Sequence, residues 1–135
     1  MAKNTGLCTS FLLCDSVITD RKSNKNTVVG VFDQIFCQGF PASVYQISAF
    51  ARVSDLRGYH AIKIEIRDSE DDLVLRIGPG EMNAKPGRTS EIFLDAQGVI
   101  FQKPGKYQVQ LFIDGEIVST VGLTVEDARQ PGQDS

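Results

Sequence analysis

Cys14 and Asp15 stand side by side in the apolar run SFLLCDSVITD, residues 10–20, and His60 is the single histidine of the chain. A thiol, a carboxylate and an imidazole are the parts of a cysteine nucleophile with its base. Such a thiol reacts only as thiolate, which needs a base or an electropositive setting. His60 instead opens a distant strand-like run and points to its apolar side, where a histidine serves as a hydrogen-bonded core residue. Cys14 therefore reads as packing, and a small enzyme using Cys14 and His60 ranks third among the functions considered.

Two further stretches invite chemistry. Asp68, Glu70, Asp71 and Asp72 offer oxygen ligands for calcium but lack the DxDxDG spacing and the glycine turn of a specific loop, so a solvated turn without tight calcium binding is expected. GPGEMNAKPG, residues 78–87, is glycine-rich, yet no GK[ST] follows and no helix begins there to hold a phosphate. It reads as a long loop. No acid–base pair, metal shell or nucleotide cradle is legible, so the expectation is a non-enzyme without cofactor.

The start of the chain imitates a lipoprotein signal, with Lys3 ahead of LCTSFLLC. Its apolar stretch is short, and bulky Leu13 sits where a small residue should precede the cysteine. An envelope lipoprotein anchored through Cys14 is thus the runner-up reading.

The 135 residues, 41% hydrophobic and 23% charged, have the composition of one globular domain. A net charge of −3 gives no electrostatic case for nucleic acid or an anionic membrane. The densest basic cluster, DRKSNK at 20–25, reads as a solvated turn. Cys8, Cys14 and Cys37 form no CxxC pair, which points to buried, reduced thiols and a cytoplasmic setting. No apolar run approaches the roughly eighteen residues of a membrane-spanning helix.

The elements that must position these residues follow from period-two patterning. In HAIKIEIRD, 60–68, His60, Ile62, Ile64 and Ile66 alternate with Ala61, Lys63, Glu65 and Arg67. Similar runs cover 7–18, 27–37, 44–54, 72–77, 90–95 (resuming at 99–101), 106–113 and 117–125. Seven to eight short strands predict an all-β fold, an antiparallel immunoglobulin-like β-sandwich. The domain spans 7–126, with flexible termini at 1–6 and 127–135. KPG at 85–87 and 103–105 predicts two type II turns. For FIDGEIV, 112–118, a three-residue loop Asp114-Gly115-Glu116 keeps the apolar faces together, pairing Ile113 with Ile117, Val109 with Val121 and Tyr107 with Leu123.

LLCDSVI (12–18), VVGVFDQI (28–35), FPA (40–42) and KPGKYQVQLFIDGEIV (103–118), in this order, resemble a family of short bacterial proteins known only as a domain of unknown function. The resemblance covers about residues 11–125 and departs from the pattern at DSEDDLV, 68–74. It implies the sandwich and a bacterial source, and brings no activity, cofactor or functional residue.

If 44–54, 106–113 and 117–125 are strands C, F and G, they share one sheet. Tyr45, Ile47, Ala49 and Val53 then point inward with Val109, Leu111 and Val121. Phe50, Phe112 and Val118 are left on the outer face among Gln46, Ser48, Arg52, Gln108 and Gln110. Three apolar residues on one sheet face make a candidate partner or self-association surface. The leading expectation is a non-catalytic binding or scaffold module with a protein partner.

Overall fold

Alternation of apolar and polar side chains produces nine strands and no helix among the residues described by the computed structural model, 6–129. They are β1 (Leu7–Thr19), β2 (Asn26–Phe32), β3 (Gln34–Cys37), β4 (Ala42–Ser54), β5 (Gly58–Arg67), β6 (Leu73–Ala84), β7 (Ser90–Phe101), β8 (Gly105–Ile113) and β9 (Glu116–Asp127). A four-stranded sheet runs β2-β1-β4-β7 and a five-stranded sheet β3-β9-β8-β5-β6. All neighbours are antiparallel except β3 and β9, which run parallel. The fold is an all-β sandwich. Of the termini expected to be flexible, 1–5 and 130–135 lie outside the described residues. Ala128 N–H still donates to the Cys37 carbonyl at 2.7 Å.

The core lies between the sheets. Leu13, Ile47, Ala49, Ala51 and Val53 meet Ile62, Ile64, Ile66, Val109, Leu111, Leu123 and Val125 there. Phe101 stands edge-on to Tyr107, with ring centroids 4.9 Å apart. The Tyr107 hydroxyl donates to the Lys103 carbonyl at 2.5 Å and ties the turn before β8 to the start of that strand. Burial pushes the Tyr107 phenol upward, so it remains a donor. Tyr107→Phe should keep the packing yet lose about 0.5–1.5 kcal/mol with the bond to the Lys103 carbonyl, a loss readable in urea melts.

Several expectations need correction. Residues 27–37 are two strands, because the chain crosses between sheets at Asp33, whose carbonyl accepts the Thr124 N–H at 2.9 Å. Residues 44–54 do not adjoin 106–113: β4 lies between β1 and β7, and β5 takes the place beside β8. Residues 78–84 are not loop but the second half of β6, pairing Gly80 with Ile62 and Ala84 with Gly58. β6 is an edge strand, where glycine and proline are tolerated. KPG at 85–87 makes the expected turn, with Arg88 N–H on the Lys85 carbonyl and Gly87 at φ 74°, whereas Gly105 at φ 150° does not have type II geometry.

Tyr45 points out, not in, and is 82% exposed. Along β4 the core face passes from Ala42 and Val44 to Ile47 and Ala49, so the strand changes parity at Tyr45. β7 does the same opposite, from Ala96 to Val99, across Gly98 at φ 64°. The hairpin also differs. Asp114 and Gly115 both have positive φ, 52° and 83°, and Ile113 pairs with Glu116 in a two-residue turn. A bulge then makes Val118 the extra residue, so Leu111 pairs with Ser119 and the expected pairs Val109–Val121 and Tyr107–Leu123 are recovered.

Candidate functional site

The end of the β1–β2 hairpin does not continue the plane of its sheet. β1 leaves β4 after Cys14, opposite Ser48. The Asp15 carbonyl then accepts the Gln46 amide at 3.0 Å, which places its backbone above the outer face. At the tip, the Asn26 amide donates to Glu91 Oε1 at 2.7 Å, far across the sheet on β7. The bend needs Gly30, whose φ is 69° and where a Cβ would come within 2.2 Å of Asp15 Oδ2. The basic stretch DRKSNK is the turn at the tip, as expected: Asp20 Oδ1 accepts the N–H groups of Lys22 and Ser23.

With the hairpin end laid over that face, Cys14, Ser48 and Phe50 are 0%, 0% and 6% exposed although none points into the core. Ser48 donates to Asp95 Oδ1 at 2.5 Å. Phe50 lies between Leu12 and Phe93, its direct neighbours on β1 and β7. Phe50, expected on one outer face with Phe112 and Val118, instead belongs to the four-stranded sheet and is buried. Val118 is half-buried against the core because the bulge turns it inward. Of Phe50, Phe112 and Val118, only Phe112 stays on the open outer face of β8 and β9. Sequence patterning could not separate them, since a hairpin folding back over its own sheet leaves no mark on period two.

The open face belongs to the five-stranded sheet. Across it Lys63 pairs with Phe112 and Phe112 with Ile117; Arg76 pairs with Glu65, and Glu65 with Gln110. Ile117 is 53% exposed. The Lys63 ammonium sits 4.2 Å from the centre of the Phe112 ring. Glu65 is only 3% exposed, because Arg67, Arg76 and Lys63 close over it at 2.9, 3.1 and 3.2 Å. Burial alone would raise its pKa, but hydrogen bonds from Arg67, Lys63 and Arg76 outweigh it and lower the value to about 2. Three cations around one carboxylate leave this face locally positive on an acidic chain. Sequence reading missed Glu65, although Lys63, Glu65 and Arg67 at period two were visible.

The Cys14–His60 pair does not form. His60 sits in the other sheet, its Nδ1 2.7 Å from Asp114 Oδ2 and its Nε2 3.0 Å from the Arg57 carbonyl. Both partners are acceptors, so the ring donates twice as imidazolium. The bond to Asp114 raises its pKa against opposing burial, helped by the Arg57 carbonyl. Because the folded value is raised, the resulting stability is fully present below the unfolded pKa of about 6.5 and fades as pH climbs through the folded value. A proton titration of the His60 ring by NMR should place its midpoint above that of a free histidine.

In the acidic loop, Asp68 Oδ1 accepts the N–H groups of Glu70 and Asp72 at 2.9 Å each, so one carboxylate is occupied by the turn itself. Among the described residues, no group of three or more His, Cys, Asp or Glu gathers at metal-binding geometry.

Residues 9–126 match a family of unknown function, DUF6941. The chain belongs to that family. No curated protein matches it. A β-glucosidase from Listeria innocua, solved in complex with gluconolactone, is similar at a TM-score of 0.46 and 12% identity, over 87% of this chain. This DUF6941 chain spans 16% of the length of that enzyme, and the likeness carries no argument about activity.

The cysteines of this DUF6941 protein are free thiols: Cys14 and Cys37 are buried, while Cys8 is half-buried, less than expected. Burial, then the Asp15 and Asp95 carboxylates, pushes the Cys14 thiol up; burial and Asp127 do the same for Cys37. A thiol reagent on the native protein should therefore label Cys8 first, and Cys14 and Cys37 only once denaturant is added. Rapid native labelling of Cys14 would contradict its burial under the hairpin.

Proposed function

We propose that this DUF6941 protein is a non-catalytic, cytoplasmic binding module whose protein partner docks on the outer face of the five-stranded sheet. The observation that carries the reading is the open row of Lys63, Phe112 and Ile117 beside the Arg67–Glu65–Arg76 cluster. Aromatic and aliphatic anchors flanked by guanidinium groups are the mixture that protein interfaces favour. The partner's surface is acidic where it meets this face.

Non-catalysis is supported by His60, whose ring is committed on both sides, and by the shallow groove beside it, lined by Tyr59, His60, Ala61, Pro79, Gly80 and Glu81 without a serine, threonine or cysteine. A reducing compartment agrees with three unpaired thiols. Anchoring through Cys14 has little support: cleavage before Cys14 would remove the part of β1 that pairs with β4, including Leu13, which is 1% exposed. An immunoglobulin-like reading of the sandwich is supported by β3 lying parallel to β9 and by the Tyr107 hydroxyl tied back to the Lys103 carbonyl.

The test is a pull-down from the native host with the wild type and with Ile117→Asp combined with Thr120→Glu. Both positions are exposed, so the melting temperature should hold while the captured partner is lost. Retention of every partner by the variant would refute the assigned face.

A further inference from the structure

Four strand edges bound the two sheets, β2 and β7 on one, β3 and β6 on the other. An open edge recruits further strands unless charge, proline, shortness or a cover blunts it. Three of the four are blunted. β3 is four residues long, β6 carries Arg76, Pro79 and Glu81, and β7 carries Glu91 and Asp95 and is approached by β6. β2, NTVVGVF, is seven residues without a charge or a proline, and among the described residues it pairs only with β1. Thr27, Val29 and Val31 are exposed along it.

Ladder geometry restricts how two such edges can meet. Facing residues of an antiparallel pair share one orientation toward the partner strand, so two copies of a strand must pair about a residue. Pairing about Val28 sets Lys25 against Val31, and pairing about Gly30 sets Thr27 against Asp33. Pairing about Val29 sets Lys25 against Asp33 on both sides of the axis, with Thr27 against Val31 and Val29 against its own copy. Lys25 and Asp33 flank β2 at its two ends and are exposed. Among the described residues neither takes part in an ion pair within the chain. Opposite charges and β-branched side chains facing each other are the pairs that stabilise a ladder. The twofold axis repeats the bend at Gly30 in both strands, and a two-stranded ladder accommodates strong twist.

We propose that β2 is a self-association edge. A second copy of this chain adds its own β2 antiparallel, with the twofold axis at Val29 and Lys25 of each copy on Asp33 of the other. The two four-stranded sheets then join edge to edge. Seven paired residues make an interface smaller than the standard size, so the dimer forms at high protein concentration and dissociates on dilution. This edge lies apart from the outer face of the five-stranded sheet, and neither site depends on the other.

Sedimentation of the wild type at rising concentration should show a monomer–dimer equilibrium. Val29→Lys, which sets two ammonium groups face to face at an exposed position, should leave a monomer of unchanged melting temperature. Lys25→Asp or Asp33→Lys should each weaken dimerisation about tenfold, because symmetry turns both pairs repulsive. The two combined should restore it. A wild type that stays monomeric at millimolar concentration would overturn the proposal. So would a dimer that Val29→Lys leaves intact, one that Ile117→Asp dissolves instead, or one that the combined charge reversal fails to restore, since each puts the pairing at another surface or register.

Discussion

Glu65→Gln should destabilise the protein by about 2–3 kcal/mol at neutral pH, below the ~3–5 kcal/mol for breaking a fully buried pair because Lys63, Arg67 and Arg76 each reach water. Glutamine keeps the shape of the side chain and removes the charge, which leaves three cations facing one another over a nearly inaccessible position. The pH dependence has a definite sign. The folded carboxyl titrates at about 2, below its ordinary 4.5. Its contribution is therefore present above pH 4.5 and is lost as pH falls toward 2. Urea midpoints of wild type and variant should stay separated above that range and converge as acid protonates Glu65. A variant as stable as wild type at pH 7 would show the cluster to be solvated and energetically neutral.

Phe50→Ser should cost about 2–4 kcal/mol, near the range for emptying a core phenylalanine, because the ring is 6% exposed under the hairpin. Phe112→Ser should cost less than half as much. That side chain is half-buried, and its contact with Lys63 is worth about 0.5–1 kcal/mol at an exposed site. Thermal melts of the two single variants check this. Equal small losses would place Phe50 on a free surface and remove the reason for the hairpin to lie where it does.

The residues themselves explain how much was legible. Strand existence follows from alternation, and Ile62, Ile64 and Ile66 on β5 face the core as their period demands. Sheet membership does not follow from alternation, because β4 and β5 carry the same signal yet sit in different sheets. The uncharged run ISAFA at 47–51 was the available clue that β4 is a central strand covered on both faces, and all five residues are buried. β6 hid behind Gly78, Pro79 and Gly80, residues that break an interior strand but only decorate an edge. In the hairpin, two local rules acted together, a type I′ turn and a bulge, where the pattern offered a choice between loop lengths. At the candidate face, Phe112 was readable from parity. Glu65 was not, because its meaning comes from Arg76 on a neighbouring strand.

The folded-back hairpin also gives the molecule a built-in clock. Its tip rests on β7 through the bond from Asn26 to Glu91, while the pairs from Ser16–Val29 to Thr19–Asn26 hold it together internally. It can swing away as a unit without breaking a single rung between β1 and β4, so its opening is a sub-global event with its own free energy below that of unfolding. Cys14 lies under it with a thiol that water does not reach. The slow rate at which a thiol reagent finds Cys14 in the native protein thus counts excursions of the hairpin, and its dependence on Asn26→Ala reads how firmly the tip is latched.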